Sequence, residues 1–346
     1  MNEWLMDIGR FIIQMSILTI LVVMVIVVVA RIKSESGGRT RLRVEELNER
    51  LETRRRRLAV AATEPGGRKR LLKAFRRDDK GRSRKGRSQP EEERRTVWVL
   101  DFHGDIKATG VDRFAEEISS VIATANEEDE VVIRLESPGG LVHAYGLAAA
   151  QIDRLRDAGL RITVCVDKVA ASGGYLMACA ADHLRAAPFA VLGSIGVVAQ
   201  LPNVHRLLKR HDIDVELLTA GEYKRTLTVF GENTEEGREK FQSDLENIHA
   251  LFKRHVAERR PALDIEAAST GEVWYGRDAL NKGLIDALGT SEAYLVSRMQ
   301  NARVVSVRLE TRHPMGAKLG MAVSKGVEGG VERVFERLDA SRWEKR

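Results

Sequence analysis

Cysteine is almost missing from this 346-residue chain: Cys165 and Cys179 are the only two, and both sit in apolar runs. Two such thiols exclude a disulfide framework and read as small core filler. No metal-ligand spacing is present, so neither a metal nor another cofactor is expected. Aromatic residues make up only 5% of the chain, and Phe75 is the one ring among the most basic residues. Basic stretches so poor in rings do not suit nucleic-acid recognition, and a nucleic-acid partner is not expected. No internal repeat is visible.

Charge is absent from Phe11 to Ala30, where only Gln14, Ser16 and Thr19 interrupt the apolar run. A helix of that length spans about 30 Å, the thickness of a bilayer's hydrocarbon core. The run is therefore expected to be a transmembrane helix, residues 11–30, behind a short N-terminus, residues 1–10. A cleaved signal peptide fits poorly: the leader carries Glu3 and Asp7 against Arg10, and no small-x-small site follows Ala30. Residues 31–87 hold 21 Lys/Arg against 8 Asp/Glu. The positive-inside bias puts residues 1–10 outside and the bulk of the chain in the cytoplasm. With +13 in that stretch and −1 in residues 1–30, the total of +6 leaves −6 for residues 88–346. The basic character belongs to a linker, residues 31–95.

Within that linker, Leu42, Leu47, Leu51 and Leu58 are set among charges and suggest a short amphipathic helix over Leu42–Val60 near a membrane surface. Arg68–Arg87 is nearly pure charge with glycine and serine and reads as disordered. Its simplest partner is the anionic face of a lipid bilayer.

From Thr96 the pattern changes to alternating strands and helices. Strand-like runs at Thr96–Phe102, Glu130–Leu135 and Arg161–Val166 are separated by helix-like runs at Val111–Asn126 and Ala144–Ala158. That alternation predicts an α/β domain with a parallel sheet. Shorter apolar runs follow at Ala190–Val198 and Ile213–Leu218, then a long helix over Thr234–Glu258.

Between the strand Arg161–Val166 and the Ala-rich run Tyr175–Ala181 lies Asp167-Lys-Val-Ala-Ala-Ser-Gly-Gly-Tyr175. Ser172 thus falls where a strand hands over to a helix, with glycine N–H groups beside it that can stabilise an oxyanion. The plainer reading is a helix N-cap. A second turn, Leu135-Glu-Ser-Pro-Gly-Gly140, follows a strand in the same way. Gly140 and Gly173 then make a natural pair of oxyanion donors. A serine nucleophile needs a base, and His143, His183, His205, His211, Lys168 and Lys224 are all candidates that spacing alone does not separate.

These two turns, together with Leu192-Gly-Ser-Ile-Gly-Val197, Tyr223-Lys224 and Gly283-Leu-Ile-Asp286, resemble the signal peptide peptidase A family of Ser-Lys proteases. The resemblance covers the anchor, the linker and nearly everything from Thr96 to about Val307. It implies a ClpP/crotonase-like fold, a βαβ superhelix over residues 96–310. Ser172 is then the nucleophile, Lys224 the general base, and Gly140 and Gly173 the oxyanion hole. Ser194 holds the lysine amine, a role for which a hydroxyl adds no charge. The resemblance further implies a bacterial inner-membrane protein, a homo-oligomeric ring, and substrates such as signal peptides or other short apolar peptides. Residues 311–346 form a tail with a weakly amphipathic pattern. Two rival readings are an acyl-CoA site on the same fold and a non-catalytic membrane scaffold.

Overall fold

A computed structural model describes Met15, residues 40–85 and residues 95–311. The expected span at 11–30, apart from Met15, and the tail from residue 312 lie outside the described residues. Among the described residues no helix is long and apolar enough to cross a membrane. The larger compact unit runs from Val44 to Arg308. The smaller comprises Met1–Arg43 and Leu309–Arg346, and in it Arg43 pairs with Glu310 at 2.8 Å.

The elements in chain order are β1 (Thr40–Glu46), α1 (Leu47–Ala62), α2 (Pro65–Lys85), β2 (Thr96–His103), α3 (Val111–Ile122), β3 (Glu130–Glu136), α4 (Val142–Asp157) and β4 (Arg161–Val166). Then come β5 (Val169–Ala171), α5 (Gly173–Ala178), β6 (His183–Ala186), β7 (Val191–Gly193), α6 (His205–Arg210), α7 (Glu235–Arg259) and α8 (Ile265–Ala268). The last are β8 (Val273–Tyr275), α9 (Gly276–Asn281), β9 (Ala287–Leu288), α10 (Ser291–Arg298) and β10 (Arg303–Thr311).

Seven strands form one sheet in the order β1-β10-β2-β3-β4-β6-β9, and every pair from β10 to β9 is parallel. A parallel sheet must be covered on both faces, and the strands are apolar at successive positions to allow it. Leu100, Phe102, Val131, Ile133, Leu135, Ile162, Val164 and Val166 face one core, which also takes in Phe114, Ile118, Ala148, Ile152 and Tyr175. Val97, Val99, Val132 and Cys165 face the other, with Leu295 and Val304. Each buried Val, Leu or Ile contributes about 1.5–3 kcal/mol. A buried charge borders the second core: Glu130 accepts from Thr163 Oγ1 (2.6 Å) and Tyr294 OH (2.5 Å) and lies 2.8 Å from the Arg298 guanidinium. Burial pushes the Cys165 and Cys179 thiols up to about 12, in keeping with core filler.

A second sheet, β5-β7-β8, continues the fold beyond the ends of β3 and β4. Ser137 bridges to Ala170, so the turn after β3 is tied to β5. The arrangement is a mixed α/β fold of the ClpP-like kind. One detail differs from the sequence reading: the strand that delivers Ser172 is β5, not Arg161–Val166. The chain leaves β4 at Asp167 and re-enters the small sheet, because Val169–Ala171 pairs with Val191–Gly193.

The stretch expected to be disordered, Arg68–Arg87, is helical through Lys85 as part of α2. Pro65 opens the helix, Lys and Arg are good helix formers, and α1 supplies a partner: Arg56 pairs with Asp79 at 2.8 Å and stacks over Phe75. The long helix expected at Thr234–Glu258 is α7, capped by the Thr234 hydroxyl on Gly237 N–H. The apolar run Ile213–Leu218 forms neither helix nor strand.

Helix α7 covers α5 through one polar contact, His255 Nε2 to the Leu176 carbonyl at 3.1 Å, flanked by the Arg259–Asp153 pair at 2.6 Å. Burial, assisted by Arg259, holds His255 below its ordinary value of 6.5. The unfolded chain therefore takes up this proton at a higher pH than the folded one. Stability is fully present above about 6.5 and is lost as pH falls through the lower folded value. His255→Gln is expected to flatten that loss in urea midpoints compared at neutral and mildly acidic pH; an unchanged pH slope would rule out His255 as its source.

Candidate active site

Ser172 stands between β5 and α5 with φ 50° and ψ −119°. This backbone conformation is rare for an L-residue and costs on the order of 1–3 kcal/mol, so the surroundings must impose it. Three contacts do so. The Ser172 N–H donates to the Gly193 carbonyl (2.8 Å), its carbonyl accepts from Leu176 N–H (3.0 Å), and Ala171 N–H donates to the Ser137 carbonyl (3.1 Å). The hydroxyl makes no cap hydrogen bond to α5, which removes the plainer reading of this serine. It is left half-buried and available.

The two glycine turns meet at this serine. Gly139 has φ 91°, and a Cβ built there would lie 2.7 Å from Gly173 N and 2.8 Å from Ser172 Cβ, so only glycine fits. A Cβ on Gly173 would fall 2.4 Å from Tyr145 Cγ. Gly139 N–H is spent on Ser137 Oγ at 3.1 Å. The N–H groups of Gly140 and Gly173 have no partner among the described residues, which leaves two adjacent turns with a free donor each.

Beneath the Gly139 turn lies a network that no sequence motif suggests. Ser137 Oγ and Tyr145 OH are 2.5 Å apart, and Tyr145 OH donates to the Asp105 carbonyl at 2.8 Å. Burial pushes the Tyr145 phenol up, which keeps it a donor. Ser137 belongs to the second glycine turn, but Tyr145, five residues after the glycines, gives no motif signal; only the fold brings the two together.

Ser194 also comes close. It follows Gly193, whose carbonyl holds Ser172, and has φ 51° with its N–H donating to the Glu272 carbonyl at 2.6 Å. Lys224 does not. It is exposed in the irregular stretch between α6 and α7, where its own N–H donates to the Gly221 carbonyl at 3.2 Å. Of the other base candidates, Lys168 is exposed and paired with Glu136 at 3.0 Å. His183 lies 3.9 Å from Asp286, and burial holds it low. His143 and His211 are exposed and His205 is half-buried, and none has a hydrogen bond to Ser172 among the described residues.

Sequence comparison identifies the same unit. Residues 154–305 match the model of peptidase family S49, and residues 3–152 match that of the peptidase family S49 N-terminal region. The chain is 53% identical over 237 residues to the probable protease SohB of Haemophilus influenzae, covering 68% of this chain and 67% of that one. It is 49% identical over 242 residues to the probable protease SohB of Buchnera aphidicola from Acyrthosiphon pisum, covering 70% and 72%. The chain belongs to peptidase family S49. It is a serine-type peptidase, and so a hydrolase.

In this S49 peptidase the buttress under the glycine turn is open to direct test. Tyr145→Phe strands the Asp105 carbonyl and Ser137 Oγ and is expected to cost about 1–3 kcal/mol. A fall in kcat larger than the rise in KM is the expected kinetic effect, and it tests whether the turn also serves the reacting centre. Gly139→Ala is expected to be more severe, about 2–4 kcal/mol, since the clash is with backbone atoms that cannot move aside. Urea denaturation with parallel peptide kinetics measures both; near-wild-type behaviour of Gly139→Ala would mean that the turn is not held as described.

Proposed function

We propose that the chain is a membrane-anchored serine endopeptidase that cleaves short apolar peptides through a Ser172–Lys224 dyad. The observation that carries the reading is the Ser172 turn itself: a strained serine whose hydroxyl, like the flanking N–H groups of Gly140 and Gly173, has no hydrogen-bond partner among the described residues. The Lys224 amine takes the proton from Ser172, the hydroxyl attacks the scissile carbonyl, and the two N–H groups stabilise the resulting oxyanion. The proton passes to the leaving amine, and water releases the acyl group by the same steps. Ser194, adjoining the carbonyl that fixes Ser172, orients the amine.

Lys224 reaches the serine only when its segment is covered, and we assign the cover to further copies of the chain in a ring. Two features support this. The segment around Lys224 exposes Val198, Ile213, Leu217, Leu218, Tyr223 and Phe230, a group of large apolar side chains that a lone subunit leaves in water. Burial also disfavours an ammonium, so assembly favours the neutral amine a base requires. An apolar substrate is supported by Ile106, Leu141, Val142 and Leu147, all exposed; Leu141 N–H donates to the Ile106 carbonyl at 2.8 Å beside Gly140. The uncharged run Phe11–Ala30 supports an anchor in the bacterial inner membrane, and the basic flank favours a cytoplasmic catalytic part.

Hydrolysis of an apolar fluorogenic peptide by the assembled full chain tests the dyad. Ser172→Ala and Lys224→Met are each expected to lose at least about a thousandfold in kcat, with no further loss on combination. Because a lysine base acts only as the free amine, wild-type kcat/KM should rise with pH. Full activity in Lys224→Met, or an acid optimum, would transfer the role of base to another residue.

A further inference from the structure

None of the candidate site residues lies on the helical hairpin α1–α2, yet its second helix is built with one strongly charged face. Lys69, Arg70, Lys73, Arg76, Arg77 and Lys80 are all exposed, and none has an ion-pair partner among the described residues. At 3.6 residues per turn, their spacing gathers them within about a third of the helix circumference. The remainder of the helix is otherwise occupied. Leu71 and Phe75 are half-buried, and Arg56 of α1 stacks over the Phe75 ring at 5.1 Å and pairs with Asp79. Asp78 and Asp79, the acidic residues of α2, both fall outside the basic arc.

Such an arc is unfavourable for an isolated helix. Lys69 and Lys73, Lys73 and Arg77, and Arg76 and Lys80 are like charges four residues apart, which repel. A surface of fixed negative charge relieves that repulsion along the whole helix. We infer that the basic face of α2 docks on the anionic headgroup surface of a lipid bilayer.

Two features favour a bilayer over a nucleic acid. No ring lies on the arc to stack a base, since Phe75 is on the other side under Arg56. Leu72, at the edge of the arc, is 45% exposed and offers an apolar side chain suited to the headgroup boundary. The inference also draws on the anchor proposed above, because the apolar run ends at Ala30, fewer than 40 residues before Lys69. Each cation near an anionic surface multiplies binding by about fivefold at low ionic strength, so six act strongly together.

The test uses the full chain carrying Leu72→Cys with a polarity-sensitive fluorophore; Cys165 and Cys179 are buried and stay unlabelled. The chain is reconstituted into vesicles of phosphatidylcholine alone, or with roughly a third phosphatidylglycerol. Flotation of the vesicles reports on the anchor, and the fluorophore reports separately on the hairpin. In anionic vesicles the emission should shift to the blue and quenching by an aqueous quencher should fall severalfold, and both effects should reverse at high salt. Replacing Lys69, Lys73, Arg76 and Lys80 with glutamine, itself a good helix former, should abolish the difference while leaving hydrolysis of a soluble peptide unchanged. Equal quenching in the two kinds of vesicle, with flotation intact, overturns the docking but not the anchor. A response to added oligonucleotide in place of lipid overturns it in favour of a nucleic-acid face.

Discussion

The whole arrangement depends on holding Ser172 in a backbone conformation it would not adopt alone. The restraint comes from two sides. Gly193, at the end of β7, takes the serine N–H, and the Ser137–Gly140 turn, at the end of β3, closes against Ala171 and Gly173. Each restraint begins at a strand end, so the strain on one residue is spread over two sheets. The large apolar core beneath, with Tyr145 and Tyr175 fully buried, makes those strand ends rigid.

The same geometry accounts for the glycines. A turn packed this closely has no room for a Cβ: at Gly139 it would strike the backbone of Ala171 and Gly173, and at Gly173 the Tyr145 side chain. The chemical consequence is a pair of unspent N–H groups beside an unspent hydroxyl. A helix cap would have consumed one of these groups, and at Ser172 neither is consumed.

Much of this is legible in the residues. The alternation of β-branched runs with Ala-rich or amphipathic runs places β2, β3, β4, α3 and α4 within a few residues, because each element buries a regular face. The Ser-Gly-Gly and Pro-Gly-Gly turns stand out because glycine has few other reasons to come so soon after a strand. The residues that pattern does not reveal are those whose partners are remote in sequence. Tyr145 reaches Asp105, His255 reaches Leu176, and Asp167 receives Ser291 at 2.7 Å. The helix at Pro65–Lys85 is hidden for a related reason: its composition alone resembles a disordered segment, and the pairing of Arg56 with Asp79 and Phe75 that orders it comes from another helix. Lys224 marks the other limit: it is exposed in an irregular stretch, and no hydrogen bond joins it to Ser172 among the described residues.

The most direct measurement is to treat the folded full-length enzyme with a fluorophosphonate and map the modified residue by peptide mass spectrometry. A single adduct on Ser172, absent after prior unfolding, is the result expected of a serine activated by its fold. An adduct on a different serine, or none in a folded enzyme that still hydrolyses peptides, would contradict Ser172 as the nucleophile.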